Sequence, residues 1–230
     1  MIIKRLLKIF SVLPVVLAVM ACSDDPAVSI DSQAAAQQAQ SLLATGSVSD
    51  GKQLYVACQA CHGAKGEGNK AMNAPSLVNQ SPWYVKRQML AFKEGRRGSH
   101  PKDVYGQQMV AIATTIADEA AVDALVAYID SLPNRAPEAT VEGNVKKGED
   151  YYSMVCGSCH GPNAEGNELL DSPALAGVDD WYLVRQFELF RKGIRGADDK
   201  YGRQMVMMAP ALPTDEDVRN VVSYIQTLAE

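Results

Sequence analysis

The residues with the clearest chemistry lie in two copies of the pattern Cys-x-x-Cys-His, namely Cys58, Cys61 and His62, and Cys156, Cys159 and His160. Two thiols at this spacing can form thioether bonds with the two vinyl groups on one edge of a haem, while the adjacent histidine ligates the iron. The pattern therefore predicts two covalently bound haem c groups, one for each copy.

Other uses of paired cysteines explain the pattern less well. A redox-active Cys-x-x-Cys needs a strand–helix context, and a zinc site needs two further sulfur or nitrogen ligands, neither of which the surrounding sequence offers. A disulfide within each pair is an open alternative in an oxidising compartment, but it leaves both histidines unexplained.

Both motifs belong to a long internal repeat. The two halves align at a spacing of 98 residues from the cysteine motifs through Trp83 and Trp181, and at 96 residues after His100. The first copy therefore carries two extra residues, in a segment that includes His100. We interpret His100, which has no counterpart, as an exposed loop residue.

The repeat also selects candidates for the second axial iron ligand, because equivalent sites should use equivalent residues. Of nine methionines, only Met109 and Met205 face each other, and each follows a Tyr-Gly dipeptide. We predict that these two ligate iron. The other methionines align with different residue types: Met72 with Leu170, Met89 with Phe187, Met154 with Val56, Met207 with Ala111, and Met208 with Ile112. We interpret Met207 and Met208 as core residues, with Met208 as a fallback ligand.

Most of each repeat is predicted to be helical, and no alternating run indicates a strand. Apolar residues at helical spacing predict a C-terminal helix in each copy: Val122, Val126, Ile129 and Leu132, and Val218, Val222, Ile225 and Leu228. Thr214 and the acidic residues after it predict the start of the second. Middle helices are predicted over 83–97 and 181–195, each closed by a glycine. Trp83 and Trp181 are expected in the core, with a position against the porphyrin edge as an option. Shorter helices should lead into the cysteine motifs from near Asp50 and Gly148.

The first 49 residues are expected to lie outside the folded domains. Residues 1–21 resemble a signal peptide, with a basic start and an apolar run too short to span a bilayer. The run ends in Ala21-Cys22, which resembles a lipoprotein signal and implies acylation of Cys22; an ordinary cleaved signal is the alternative. Residues 22–49 are predicted to be a lipidated, flexible tether. By the same resemblance, Ser23 after the cysteine favours the outer membrane.

The charge distribution constrains the partners. The formal net charge of −5 argues against nucleic-acid binding, which needs a basic surface. Residues 46–135 carry 10 basic and 8 acidic side chains, whereas residues 136–230 carry 9 basic and 16 acidic ones. We therefore expect different ends of the molecule to dock different partners.

With these motifs and matched segments, residues 50–230 resemble the class I cytochromes c, and in particular the two-domain dihaem cytochromes of the c-four type. The resemblance implies an all-α fold of two tandem class I cytochrome c domains. We place them at residues 50–135 and 136–230, joined by the proline-containing linker Pro133–Pro137. The resemblance also implies His/Met ligation and loops wrapped on the haem. It further implies that the backbone carbonyls of Pro75 and Pro173 each accept a hydrogen bond from the ligating histidine of their domain.

Two axial protein ligands leave no open coordination site, so the expected function is electron transfer rather than catalysis on a small-molecule substrate. The expected partners are a redox-protein donor and acceptor in the bacterial periplasm, with a membrane contact through the lipid anchor. A cytochrome subunit of a membrane-bound dehydrogenase or oxidase is an alternative, and a dihaem peroxidase is another. Arg97 and Arg195 could meet haem propionates, or could be cations at a helix end.

Overall fold

The computed structural model describes residues 48–229, which belong to one compact unit. The predicted signal peptide, Cys22 and nearly all of the tether lie outside the described residues. None of the helices in the described part has the length and apolarity that a membrane span requires.

Each domain is built from helices. The first contains α1 (48–62), α2 (Pro82–Lys93), α3 (Val104–Ala113) and α4 (Glu119–Asp130). The second contains α5 (Val145–Tyr151), α6 (Gly157–His160), α7 (Asp180–Arg191), α8 (Gly202–Met208) and α9 (Asp215–Gln226). Short 3-10 turns lie at Lys70–Met72, Glu168–Leu170 and Ala209–Ala211. Strand pairing among residues 48–229 is limited to two isolated bridges, so the all-α prediction is confirmed.

The middle helices are shorter than the sequence predicted. Helix α2 ends at Lys93 and α7 at Arg191, four residues before the predicted ends. Gly95 and Gly193 follow with φ of +71° and +63°, in the left-handed region that glycine adopts without strain. These glycines turn the chain out of the helix, so Arg97 and Arg195 lie in the loops beyond.

The predicted C-terminal helices are confirmed, and their starts are capped. The Asp118 carboxylate accepts a hydrogen bond from the backbone N–H of Ala121 at 2.9 Å before α4. Thr214 and Asp217 form a reciprocal capping box before α9. The apolar faces of α4 and α9 form the centre of the two cores, with Val122 and Val218 almost fully buried.

A glycine allows the N-terminal and C-terminal helices of each domain to touch. A Cβ atom on Gly51 would lie 2.0 Å from the carbonyl oxygen of Ala124, and one on Gly148 would lie 1.9 Å from that of Asn220. No larger residue fits at these crossings. The position of each Cys-x-x-Cys-His motif is therefore set by direct contact between two helix backbones.

The helix before the second motif contains one extra residue. Tyr55 and Tyr152 occupy equivalent places, since their hydroxyls donate to the carbonyls of Gly63 and Gly161 at 2.8 and 2.7 Å. These tyrosines lie 97 residues apart, but the cysteines after them lie 98 apart. A π turn at Tyr152–Cys156 takes up the difference. The alignment of Met154 with Val56 was therefore wrong, because Met154 belongs to a three-residue segment that replaces two residues in the first domain.

The linker between the domains lies between the end of α4 and the start of α5, a longer segment than Pro133–Pro137. The carboxylate of Asp180, 0% exposed, accepts hydrogen bonds from the backbone N–H groups of Thr140 and Val141. Arg135 forms an ion pair with Asp179. The linker is thus bound along the second domain.

Candidate haem sites

The four cysteines of the two motifs are free thiols, so neither pair forms the disulfide that the sequence left open. In each pair the first cysteine is the less exposed: Cys58 is buried and Cys156 is half-buried, while Cys61 and Cys159 are exposed. Burial, with a smaller contribution from the neighbouring cysteine, raises the pKa of Cys58 to about 11 and that of Cys156 to about 11. Both thiols stay protonated at neutral pH and could form thioethers.

The two histidines are oriented by proline carbonyls. His62 Nδ1–H donates to the carbonyl of Pro75 at 2.7 Å, and His160 Nδ1–H donates to that of Pro173 at 2.8 Å. The expectation for these carbonyls is thereby confirmed. Burial lowers the pKa of each histidine, and the hydrogen bond to the carbonyl opposes this effect only in part. Each imidazole is therefore neutral at physiological pH, with Nε2 available to a metal.

The long loops after the motifs are fixed by their own hydrogen bonds. The backbone N–H of Gly68 donates to the carbonyl of His62 at 2.8 Å, and that of Gly166 donates to His160 at 2.7 Å. These bonds hold the loop against the backbone of the histidine, so the proline carbonyl stays within hydrogen-bonding distance of the imidazole.

The predicted methionine ligands occupy equivalent positions. Met109 lies on α3 and Met205 on α8, and both are half-buried. Near the start of each helix, an aspartate carboxylate accepts a hydrogen bond from a glycine N–H at 2.9 Å: Asp103, which caps α3, accepts from Gly106, and Asp199, three residues before α8, accepts from Gly202.

Three other sequence interpretations can be compared with the structure. Met207 and Met208 are 72% and 46% exposed, so their placement in the core was wrong. The buried residues around them are small: Gly202 at the start of α8, and Ala209 in the 3-10 turn that follows it. His100 is exposed, as predicted.

A second difference concerns the two tryptophans, which were expected in the core. Trp83 and Trp181 are half-buried and lie beside arginines, with the guanidinium of Arg87 4.9 Å from the Trp83 ring and that of Arg185 5.0 Å from the Trp181 ring. Each tryptophan therefore packs beside an arginine that itself contacts the other domain.

Arg97 and Arg195 are the most deeply buried cations of the described residues, at 9% and 8% exposure. Each hydrogen-bonds to a glutamine of its own domain, at 2.6 Å for Arg97 with Gln88 and 2.7 Å for Arg195 with Gln186. Each also reaches the other domain. Those contacts join Arg97 to Tyr182 at 2.6 Å and Gln186 at 3.1 Å, and Arg195 to Tyr84 at 3.0 Å and Gln88 at 3.1 Å.

The charges in this network show that the site fits a haem. Every protein partner of Arg97 and Arg195 in it is neutral, and Arg97 Nε is buried without a partner. Two buried guanidinium charges without an anion are costly, and haem propionates are anions of the required kind. Two interpretations of these arginines were open: a contact with haem propionates, or a cation at a helix end. Because both arginines are buried in loops beyond the helix ends, the structure favours the contact with propionates.

The arginines also lower the pKa of Tyr182, which lies between them. Burial raises the pKa of Tyr182, but the charges of Arg97 and Arg195 outweigh it, so the net pKa of this phenol is lowered. Sequence reasoning missed Tyr84, Tyr182 and the two glutamines. The available signal was their match across the repeat at a spacing of 98 residues.

Comparisons with known proteins agree with this geometry. The family model described as cytochrome c matches residues 48–133 and 145–229. Cytochrome c4 of Azotobacter vinelandii is 31% identical over 196 residues, which covers 80% of this chain and 90% of that protein.

Two solved structures are similar. Reduced recombinant cytochrome c4 from Pseudomonas stutzeri superposes with a TM-score of 0.62 at 26% identity, covering 78% of this chain and 97% of that one. The thiosulfate dehydrogenase from Marichromatium purpuratum superposes with a TM-score of 0.59 at 25% identity, covering 78% of this chain and 40% of that one. The chain therefore belongs to the cytochrome c family, as an electron carrier with two tandem domains that each bind one haem c covalently.

Proposed function

We propose that this protein passes electrons between redox proteins of the bacterial periplasm, with a His/Met-ligated haem in each domain. Cys58 and Cys61 attach the first haem and Cys156 and Cys159 the second. The axial ligands are His62 and Met109 in the first domain, and His160 and Met205 in the second. The bound iron supplies one-electron chemistry by alternating between its ferrous and ferric states.

The observation that carries this proposal is the pair of histidine–proline hydrogen bonds, at 2.7 and 2.8 Å. They fix the Nδ1–H tautomer and hold each imidazole ring in one orientation before iron binds. Because the ring does not have to reorient, the ligand geometry stays the same in both oxidation states. A small change in geometry favours fast electron transfer over binding of a substrate.

The methionine assignment is tested by Met109→Ala and Met205→Ala, each made separately in the holoprotein. Loss of a thioether ligand should remove half of the long-wavelength Met–Fe(III) absorption band and lower the reduction potential of that haem. Met207→Ala, at an exposed position of α8, is the matched control and should change neither. An unaltered band in Met109→Ala or Met205→Ala would refute the assignment for that domain.

We also propose that Cys22 carries the lipid and that the tether, residues 22–49, holds the folded domains at a membrane, with the outer membrane favoured. The support is the sequence before Cys22 alone. Acyl chains contribute about 0.8 kcal/mol for each buried methylene, so two or more of them anchor a protein stably. Cys22→Ala should release the holoprotein into the soluble fraction and abolish incorporation of labelled palmitate. Release without any change in labelling would contradict the assignment.

A second candidate function is that of the electron-accepting cytochrome of an oxidoreductase. The similarity to the thiosulfate dehydrogenase structure favours it. Purification from mild-detergent extracts distinguishes the two, because a subunit should co-elute with its catalytic partner and a free carrier should elute alone. The peroxidase alternative predicts a five-coordinate haem that binds carbon monoxide rapidly, whereas two His/Met sites predict slow binding.

A further inference from the structure

Arg87 of α2 extends across the domain interface and contacts two segments of the second domain's proposed haem site. Its Nη1–H donates to the Asp171 carboxylate at 3.1 Å, and its Nη2–H donates to the Asp171 carbonyl at 2.9 Å. The same guanidinium lies 4.8 Å from the ring of Tyr201. A single side chain of the first domain therefore binds two separate segments of the second.

Those two segments carry opposite sides of the proposed haem site. Asp171, with φ of 54°, ends the 3-10 turn just before Pro173, whose carbonyl accepts from His160. Tyr201 directly precedes α8, the helix of Met205. Arg87 thus joins the histidine side of the second site to its methionine side.

Arg185 of α7 makes the same contacts in the opposite direction. It donates to the side-chain oxygen of Asn73 at 3.2 Å and to the Asn73 carbonyl at 3.1 Å, and its guanidinium lies 4.8 Å from the Tyr105 ring. Asn73, with φ of 57°, occupies the position equivalent to Asp171, before Pro75. Tyr105 is on α3, the helix of Met109.

We infer that Arg87 and Arg185 are positioning residues that hold the haem crevice closed in the opposite domain. This inference rests on the proposed His/Met ligation. We expect the methionine to dissociate when its helix moves away from the histidine side, and the arginine opposes that movement because it links the two sides by hydrogen bonds and a stacked ring. Each methionine ligand is then stabilised in trans.

The two links differ in charge. Arg87 pairs with the carboxylate of Asp171, whereas Arg185 meets the neutral amide of Asn73. Hydrogen bonds between ionised partners are stronger than those to a neutral acceptor, so the second-domain site should hold its methionine more firmly.

The test is displacement of the axial methionine by imidazole in the oxidised holoprotein, followed by stopped-flow absorbance of the Met–Fe(III) band. Met109→Ala and Met205→Ala each remove one kinetic phase and so assign the phases to domains. We expect Arg185→Gln to accelerate the Met109 phase and Arg87→Gln the Met205 phase, each by about tenfold. Arg219→Gln, at an exposed position of the second domain, should alter neither.

A gain-of-function variant keeps the test independent of folding defects. Asn73→Asp supplies the missing carboxylate, so the Met109 phase should become slower and acquire a dependence on ionic strength. Acceleration confined to the domain that contains the substituted arginine, or no change in either phase, would overturn the inference. If neither Met→Ala variant removes a phase, the ligand assignment fails instead.

Discussion

At the residue scale, one buried tyrosine in each domain stabilises the turn after the ligating histidine through its hydroxyl group. Tyr55 and Tyr152 are 1% exposed, and each hydroxyl donates to the carbonyl of the glycine after the ligating histidine. Burial raises the pKa of both phenols, so they keep the proton that they donate. The hydroxyl thereby satisfies a carbonyl at the point where the chain turns into the haem-binding loop.

We expect Tyr55→Phe and Tyr152→Phe each to lower the free energy of unfolding of the holoprotein by about 1 kcal/mol, since a carbonyl loses its partner. Denaturant titration followed by circular dichroism measures the change. Tyr151→Phe is the control, because this neighbouring tyrosine packs against the same core without either hydroxyl contact. Equal destabilisation by all three variants would show that ring packing, and not the hydrogen bond, is responsible.

At the scale of elements, the π turn lies between two fixed ends of the helical segment that precedes the second haem-binding loop. The glycine crossing and the buried tyrosine fix the helix at its start, and the loop after the histidine fixes it at its end. The extra residue lies between these fixed points, at Tyr152–Cys156, and Met154 is 73% exposed there. The π geometry therefore accommodates an insertion without displacing the cysteines or the histidine.

Deletion of Met154 should convert the second domain to the spacing of the first. We expect full haem attachment and an unchanged or slightly higher stability, because the helix can then continue with regular hydrogen bonds. Haem content from the pyridine haemochrome spectrum and thermal unfolding measure both. Deletion of Val56, where the helix has no extra residue, should instead rotate Cys58 by about 100° relative to Tyr55 and abolish attachment.

The sequence was informative where local spacing decides the outcome. The Cys-x-x-Cys-His motifs and the C-terminal helices follow from short-range patterns, and the repetition of these patterns, with the family resemblance, predicts the two-domain all-α fold. The middle helices were predicted too long because the glycine pattern was applied at Gly98 instead of Gly95. The π turn was missed because a constant spacing of 98 residues was assumed through the helix. The interface contacts join residues about 85 to 110 positions apart, and no local pattern specifies them.

At the scale of the whole molecule, Arg97 and Arg195 belong to both domains at once. Each guanidinium bonds to a tyrosine and a glutamine across the interface as well as to its own domain. A charge at this place acts on both sites through a medium that screens it weakly.

Arg97→Gln should therefore lower the reduction potentials of both haems, on the order of 50 mV, because a buried positive charge disfavours the more positive ferric state. Spectroelectrochemical titration resolves the two potentials. Arg97→Lys retains the charge, so both reduction potentials should stay close to those of the unmodified protein. A change confined to one haem would show that the two sites are electrostatically separate.

The uneven charge gives a second prediction for the molecule. The first domain has more basic than acidic side chains, by 10 to 8, and the second has more acidic ones, by 16 to 9. An anionic oxidant such as hexacyanoferrate(III) should react faster with the first haem, and a cationic oxidant such as tris(phenanthroline)cobalt(III) should react faster with the second. The two rates, measured by stopped flow, should both fall as ionic strength rises. Rates independent of ionic strength would contradict this prediction.

The exchanged arginine contacts have one more consequence. The same set of residues on each half binds its own counterpart set on the other, which is the arrangement of an isologous homodimer around a twofold axis. The two halves of the chain thus contact each other as the two subunits of such a dimer would. Because one chain carries both halves, their association is intramolecular, so the interface persists at any dilution. The two halves can also differ in sequence at equivalent positions, as Asp171 and Asn73 do.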